Sequence, residues 1–387
     1  MKTLRRHTLP LGVLVASWHL VTSTASANPL SPRPGASEPL FASWVDTELP
    51  APSGSYAIGT IAYEWTDASR PLGASPHAGD RRRLPAQLWY PAEPDAAATP
   101  APYAPLSTDG NDVVTHARLW LPFAPEVRSA PLVLIVPGRG TARYAYTTIA
   151  ESLASHGYVV AAIDLPQLGR ASFADGAAIP PNRAFRPSSE LMRGPYEEVD
   201  RFFEPATALG LRDLTFVLDR IGELAQEDPN GRFTGRIDMD RVGVFGHSLG
   251  GRVAGALAAA DDRLRAYASM EGIAPRRARF DGLPVPALML CSSGTLPYAI
   301  DNYQTLIDGR REVVYMVELE TFGHNSVTDI PLTNPGTFGY DVDPREALEI
   351  TAELLLAFFD EHLAGDGDFL GTSAGLDLVR VDEHAPR

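Results

Sequence analysis

Gly246-His247-Ser248-Leu249-Gly250 places a serine between two glycines, each two residues away. A serine hydroxyl is a weak nucleophile until a neighbouring base takes its proton. The pentapeptide follows the apolar run Val242-Gly243-Val244-Phe245 and precedes a small-residue segment, Gly251 to Ala260. Strand, tight turn and helix in that order form the context in which a G-x-S-x-G turn lifts its serine off the end of a sheet. The turn strains the serine backbone, so the flanking residues must be tiny, and Gly246 and Gly250 meet that need. The chemistry expected is attack by Ser248 on a carbonyl carbon.

Such a serine needs a base, an acid that orients the base, and donors for the developing oxyanion. In the chain order serine, acid, histidine, the base is His324, His362 or His384, the histidines that follow Ser248. His324 lies in Thr321-Phe322-Gly323-His324-Asn325-Ser326, just past an apolar run at 313–317. His362 ends a helical pattern and His384 sits in a polar tail, so His324 is the expected base. His247 adjoins the nucleophile and is expected to support the turn with its side chain turned away. His156 reads as structural. For the acid, Glu271 directly follows the apolar segment 266–270 and precedes Gly272. Asp301 is the alternative; Asp281 and Asp308 are further carboxylates between Ser248 and His324. The oxyanion donors are expected to be the backbone N–H of Leu249 and that of Arg139, in Pro137-Gly138-Arg139-Gly140 after an apolar run at 131–136.

The elements that must position these residues follow from periodicity. Strands are expected over 56–63, 84–90, 113–121, 131–136, 158–163, 242–245, 266–270, 287–291 and 313–317. Helices are expected over 144–155, around 211–224, and over 344–363, the last opened by Asp343, Pro344 and Glu346 as cap, first-turn proline and capping partner. Continuous apolar strands alternating with helices imply a mostly parallel sheet covered on both faces, with ligands at the carboxyl ends of the strands. Residues 165–209 are expected to be a long insertion that walls or lids the pocket.

Bulk properties narrow the classes. The chain has 387 residues, 44% hydrophobic, and a formal charge of −15. Lys2, Arg5 and Arg6, an apolar stretch at 9–21 and Ala25-Ser26-Ala27 read as a cleaved signal peptide over 1–27, hence a secreted or periplasmic protein. Its loss removes three basic and no acidic residues, so −15 becomes −18. That charge argues against nucleic acid and anionic membrane partners. The apolar stretch is too short for a stable membrane span. Residues 28–55 read as a flexible lead-in, and 56–387 as one domain. Cys291 is the sole cysteine, so no intrachain disulfide is possible; it reads as a small buried hydrophobe. No cluster has metal-ligand spacing, and no cofactor is expected.

Several segments taken together resemble the plasma-type (group VII) platelet-activating factor acetylhydrolases and their bacterial relatives. They are Leu88-Trp89-Tyr90-Pro91, Pro131-Leu132-Val133, the stretch Leu153 to Ala162, and Ile237 to Gly251 with its serine turn. The similarity runs from about Leu84 to Leu363. It implies an α/β-hydrolase fold and a secreted serine esterase acting on phospholipids or other esters with short or oxidised acyl chains. It also implies that the acid follows the strand after the nucleophile's helix, the place of Glu271, where the family usually has aspartate. The family commonly has His-Gly where this chain has Pro137-Gly138. The competing expectations are a lipase or polyester hydrolase of the same fold, and a non-catalytic binding protein that kept it. The sequence leaves the oligomeric state open.

Overall fold

The alternating apolar runs become, in the computed structural model, strands of one sheet. The structure describes residues 47–73, 79–104, 113–334 and 341–387. The expected signal peptide, and the lead-in up to residue 46, lie outside the described residues. The described part falls within one compact unit, residues 45–387. None of its helices is long and apolar enough to cross a membrane.

Among the described residues ten strands form the sheet: β1 (Ala57–Pro71), β2 (Arg81–Ala92), β3 (Arg118–Leu119), β4 (Ala130–Val136), β5 (Val159–Ile163), β6 (Ile237–His247), β7 (Leu264–Met270), β8 (Ala287–Ser292), β9 (Val314–Leu319) and β10 (Val379–His384). Their order is β10-β9-β8-β7-β6-β4-β5-β2-β1-β3. The centre, from β5 to β9, is parallel. The β1–β2 hairpin and β10 pair antiparallel at the flanks. Residues 113–121 were expected to be one strand and form only two short pieces, Val113–Val114 and Arg118–Leu119. β10 was not anticipated: its alternating polar residues suit an exposed edge, which has no apolar run to announce it.

The main helices are α1 (Thr147–Ser155), α2 (Tyr196–Gln226), α3 (Leu249–Ala258), α4 (Arg276–Asp281), α5 (Leu296–Gly309) and α6 (Pro344–Phe359). Both sheet faces are covered. Leu132, Leu134 and Val136 of β4 join a cluster with Leu214, Leu218 and Ile221 of α2 and Val253 of α3. Val133 and Ile135, one residue out of phase, join Ile149 and Leu153 of α1 and Leu354 and Phe358 of α6. Burial on both faces is why these strands read as unbroken apolar runs. Asp343 caps α6 as expected, its carboxylate accepting from the Arg345 N–H at 2.8 Å. Cys291 is buried in β8, and burial pushes its thiol well above its ordinary range.

The insertion is more ordered than a loop. From Tyr196 onward it is part of the 31-residue α2, which runs through Pro205 and Gly210, two residues that read locally as breakers. Buried ion pairs hold it. Asp200 bridges Arg252 of α3 and Arg279 of α4, both at 2.7 Å. Asp213 pairs with Arg82 of β2, whose guanidinium also donates to Pro166 and Gln167. Asp164 pairs with Arg143 just before the insertion begins. Each carboxylate lies far in sequence from its partner, so local propensity gave no sign of these contacts.

Candidate active site

The carboxyl ends of β4, β6, β7 and β9 gather the candidate residues at one edge of the sheet. β6 ends at His247, and Ser248 follows with φ 55° and ψ −121°, a strained left-handed conformation for a non-glycine residue. Its own N–H donates to the Met270 carbonyl at 2.9 Å, tying the turn to β7. A methyl on Gly246 would come within 2.4 Å of the Gly250 carbonyl oxygen. One on Gly250 would come within 2.1 Å of the Val136 carbonyl oxygen. Neither contact is tolerable, so both glycines are required by backbone meeting backbone. The second also shows that α3 starts pressed against the end of β4, where the Pro137–Gly140 loop begins.

Glu271 follows β7 directly, as the sequence placed it, and its φ of 56° is also left-handed. Its side chain is fully buried. One oxygen accepts the Ser292 N–H at 2.5 Å; the other lies 3.3 Å from His324 Nδ1. Burial alone would raise this carboxyl, but the hydrogen bond and charge of His324, with further donors, outweigh it and hold Glu271 below the usual carboxylate range. Glu271 is therefore a carboxylate near neutral pH. The His324 side chain remains 31% exposed. It stands in the loop after β9, with Thr321 of the same loop also at positive φ, 63°.

The other candidates lie elsewhere. His384 pairs with Val314 at the amino end of β9, the opposite edge of the sheet. The His362 ring packs on Tyr315 and Phe358 near that same end. His156 Nδ1 bonds the Ser152 carbonyl at the end of α1. Asp301 is an exposed residue within α5. Asp281 faces Arg277 on the surface, and Asp308 lies near Arg387.

For the oxyanion, Leu249 opens α3, and the N–H of a helix's first residue has no acceptor within the helix. In the β4 loop, the Gly138 N–H is already committed to the Tyr146 hydroxyl at 2.9 Å. The Gly138 carbonyl accepts both the N–H and the hydroxyl of Thr141, at 3.1 and 2.8 Å. In a trans peptide the carbonyl and the following N–H point opposite ways. The Arg139 N–H is thus directed away from Thr141, with its orientation fixed by that double clamp.

Sequence reasoning missed Ser292 and Tyr146. Ser292 acts through its backbone, which carries no residue signature. Tyr146 shares the 143–146 turn with Tyr144, and only the fold shows which of the two reaches the loop.

A family model described as the alpha/beta hydrolase fold matches residues 131–286. Two curated proteins named platelet-activating factor acetylhydrolase are similar. That of Canis lupus familiaris is 27% identical over 267 residues and that of Bos taurus 26% over 269. Each match covers 62% of this chain and 58% of the relative, so the chain spans little more than half the length of these relatives. A solved structure, the ferulic acid esterase from Streptomyces cinnamoneus, superposes with a TM-score of 0.72 at 29% identity, over 87% of this chain and 99% of that one. The chain therefore has the α/β-hydrolase fold and is similar in sequence to the platelet-activating factor acetylhydrolases.

Proposed function

We propose that this chain is a secreted serine carboxylic-ester hydrolase that works through an acyl-Ser248 intermediate. The observation that carries the reading is the buried Glu271 carboxylate bonded to His324 Nδ1 beside a strained, glycine-framed serine. With Nδ1 held as a donor to Glu271, Nε2 is left bare to take the Ser248 proton. The freed oxygen attacks the ester carbonyl, and the oxyanion accepts from the Leu249 and Arg139 N–H groups. The intermediate collapses as His324 returns the proton to the leaving alcohol. A water, deprotonated by His324, then attacks the acyl-serine; as the acid leaves, His324 returns the proton to the Ser248 oxygen. Glu271 offsets the imidazolium charge in both halves. Each of these steps uses only the chain's own groups and water.

Short or oxidised acyl esters, such as platelet-activating factor-like phospholipids, are the proposed substrates, supported by the similarity to acetylhydrolases. The ferulic acid esterase supports the broader class of carboxylic esters. A serine-reactive phosphonate should add its mass to Ser248 of the parent and not of Ser248→Ala. Absence of label would instead favour a binding protein on a hydrolase scaffold. Rates on p-nitrophenyl esters should fall as the acyl chain lengthens; a maximum at long chains or on polyester would favour a lipase or polyester hydrolase. Secretion after cleavage near Ala27 is checked by sequencing the amino terminus of the exported protein.

A further inference from the structure

His247, the residue between Gly246 and Ser248, is 1% exposed and reaches in two directions. Its Nε2 lies 2.6 Å from the backbone carbonyl of His324, and its Nδ1 lies 2.8 Å from the Tyr146 hydroxyl. Tyr146, itself fully buried, accepts the Gly138 N–H at the start of the oxyanion loop. Donor counting fixes the polarity. A carbonyl only accepts, so Nε2 carries a proton. Burial, with the nearby His324, pushes the His247 pKa down to about 3, so the ring is neutral and Nδ1 is bare. A bare Nδ1 needs a donor, and the Tyr146 hydroxyl supplies it. Thr141 Oγ1, the hydroxyl's other neighbour at 3.1 Å, spends its own proton on the Gly138 carbonyl. The packing matches: a methyl on Gly138 would come within 2.8 Å of His247 Nδ1.

We propose that His247 and Tyr146 form a buried neutral strut that sets the loop carrying His324 and the loop carrying Arg139 at a fixed separation. His247 is then a positioning residue, and this role rests on the reading of Ser248 and His324 given above. Movement of either loop would strand a buried donor or acceptor, which is more costly than losing an exposed bond. Base and oxyanion donors thus keep their places relative to Ser248 through one chain of three hydrogen bonds.

Tyr146→Phe, His247→Gln, His247→Leu and the Tyr146→Phe/His247→Leu double variant test this on p-nitrophenyl acetate. Misplacing catalytic groups by about 1 Å costs on the order of a hundredfold. Tyr146→Phe should therefore lower kcat by roughly ten- to a hundredfold with KM little changed. His247→Gln, which keeps an N–H for the His324 carbonyl, should recover at least roughly tenfold over His247→Leu. The double variant should be no worse than His247→Leu, because both act on one strut. Parent-like kcat in Tyr146→Phe and His247→Leu, or losses confined to KM, would overturn the proposal. If His247→Leu does not fold, Tyr146→Phe, which removes one oxygen, decides alone. Nitrogen shifts of His247 give a readout independent of turnover. They should report an uncharged ring protonated at Nε2 from about pH 5 to 8; a charged ring or the other tautomer overturns the strut. A parent that neither turns over esters nor takes the phosphonate refutes the esterase reading, and the nitrogen shifts still judge the strut.

Discussion

Glu271→Gln is the sharpest test of the proposed proton path. The Glu271 oxygen facing Ser292 accepts an N–H at 2.5 Å, so a glutamine must turn its carbonyl there and its amide N–H₂ toward His324. The amide then faces Nδ1, 3.3 Å away, with a donor where an acceptor stood. His324 is driven to the tautomer that carries its proton on Nε2, which cannot accept from Ser248. The equivalent carboxylate-to-amide exchange in a serine-protease triad lowers kcat by about 10⁴-fold, which corresponds to about 5.4 kcal/mol of barrier. We expect a fall of about 10³- to 10⁴-fold in kcat on p-nitrophenyl acetate at neutral pH. Asp301→Asn, on the exposed side of α5, should leave kcat unchanged. The linkage sign gives a control. Glu271 is held below its ordinary range. Its stabilisation is therefore complete above the unfolded value near 4.3 and is lost as pH falls through the folded value. The glutamine variant should lack that part of the acid-side loss in denaturation experiments. A folded Glu271→Gln protein with kcat within about tenfold of the parent would remove Glu271 from the mechanism and refute the argument.

Three further outcomes follow from the packing. Gly250→Ala forces a methyl to within 2.1 Å of the Val136 carbonyl. It should destabilise the fold by roughly 1–3 kcal/mol or more in urea titration and abolish phosphonate labelling. Asp200→Ala leaves Arg252 and Arg279 buried without their shared carboxylate, and should cost about 3–5 kcal/mol by the same titration. Asp329 sits fully buried in the His324 loop, where burial pushes its carboxyl up to about 7 although it accepts the Thr147 N–H at 2.9 Å. Between about pH 4 and 7 the native state holds a proton that the unfolded chain has released. Stability from this group should therefore fall as pH rises through that window. Asp329→Asn, which keeps an acceptor for Thr147, should flatten the profile measured by thermal denaturation; an unchanged slope would show that Asp329 does not titrate there.

The sequence by itself determined the nucleophile's local frame. Gly246, Gly250 and the apolar strand before them leave little alternative to a strained turn, since the demand is local and steric. It also determined the parallel core, because strands buried on both faces must be apolar throughout. The placing of Glu271 just after one strand and His324 just after another was legible for the same reason: strand ends are visible where an apolar run stops. What only the tertiary structure decided concerns partners distant in the chain. The bonds from Glu271 to Ser292, from Tyr146 to His247, and from Asp200 to Arg252 and Arg279 join segments through buried polar groups that have no periodic signature. The ion pairs also helped turn the last third of an apparent loop into α2, since tertiary contacts outweighed the local reluctance of Pro205 and Gly210 to be helical. Local sterics are written into neighbouring residues, whereas long-range hydrogen bonds exist only once the sheet has brought its strand ends together.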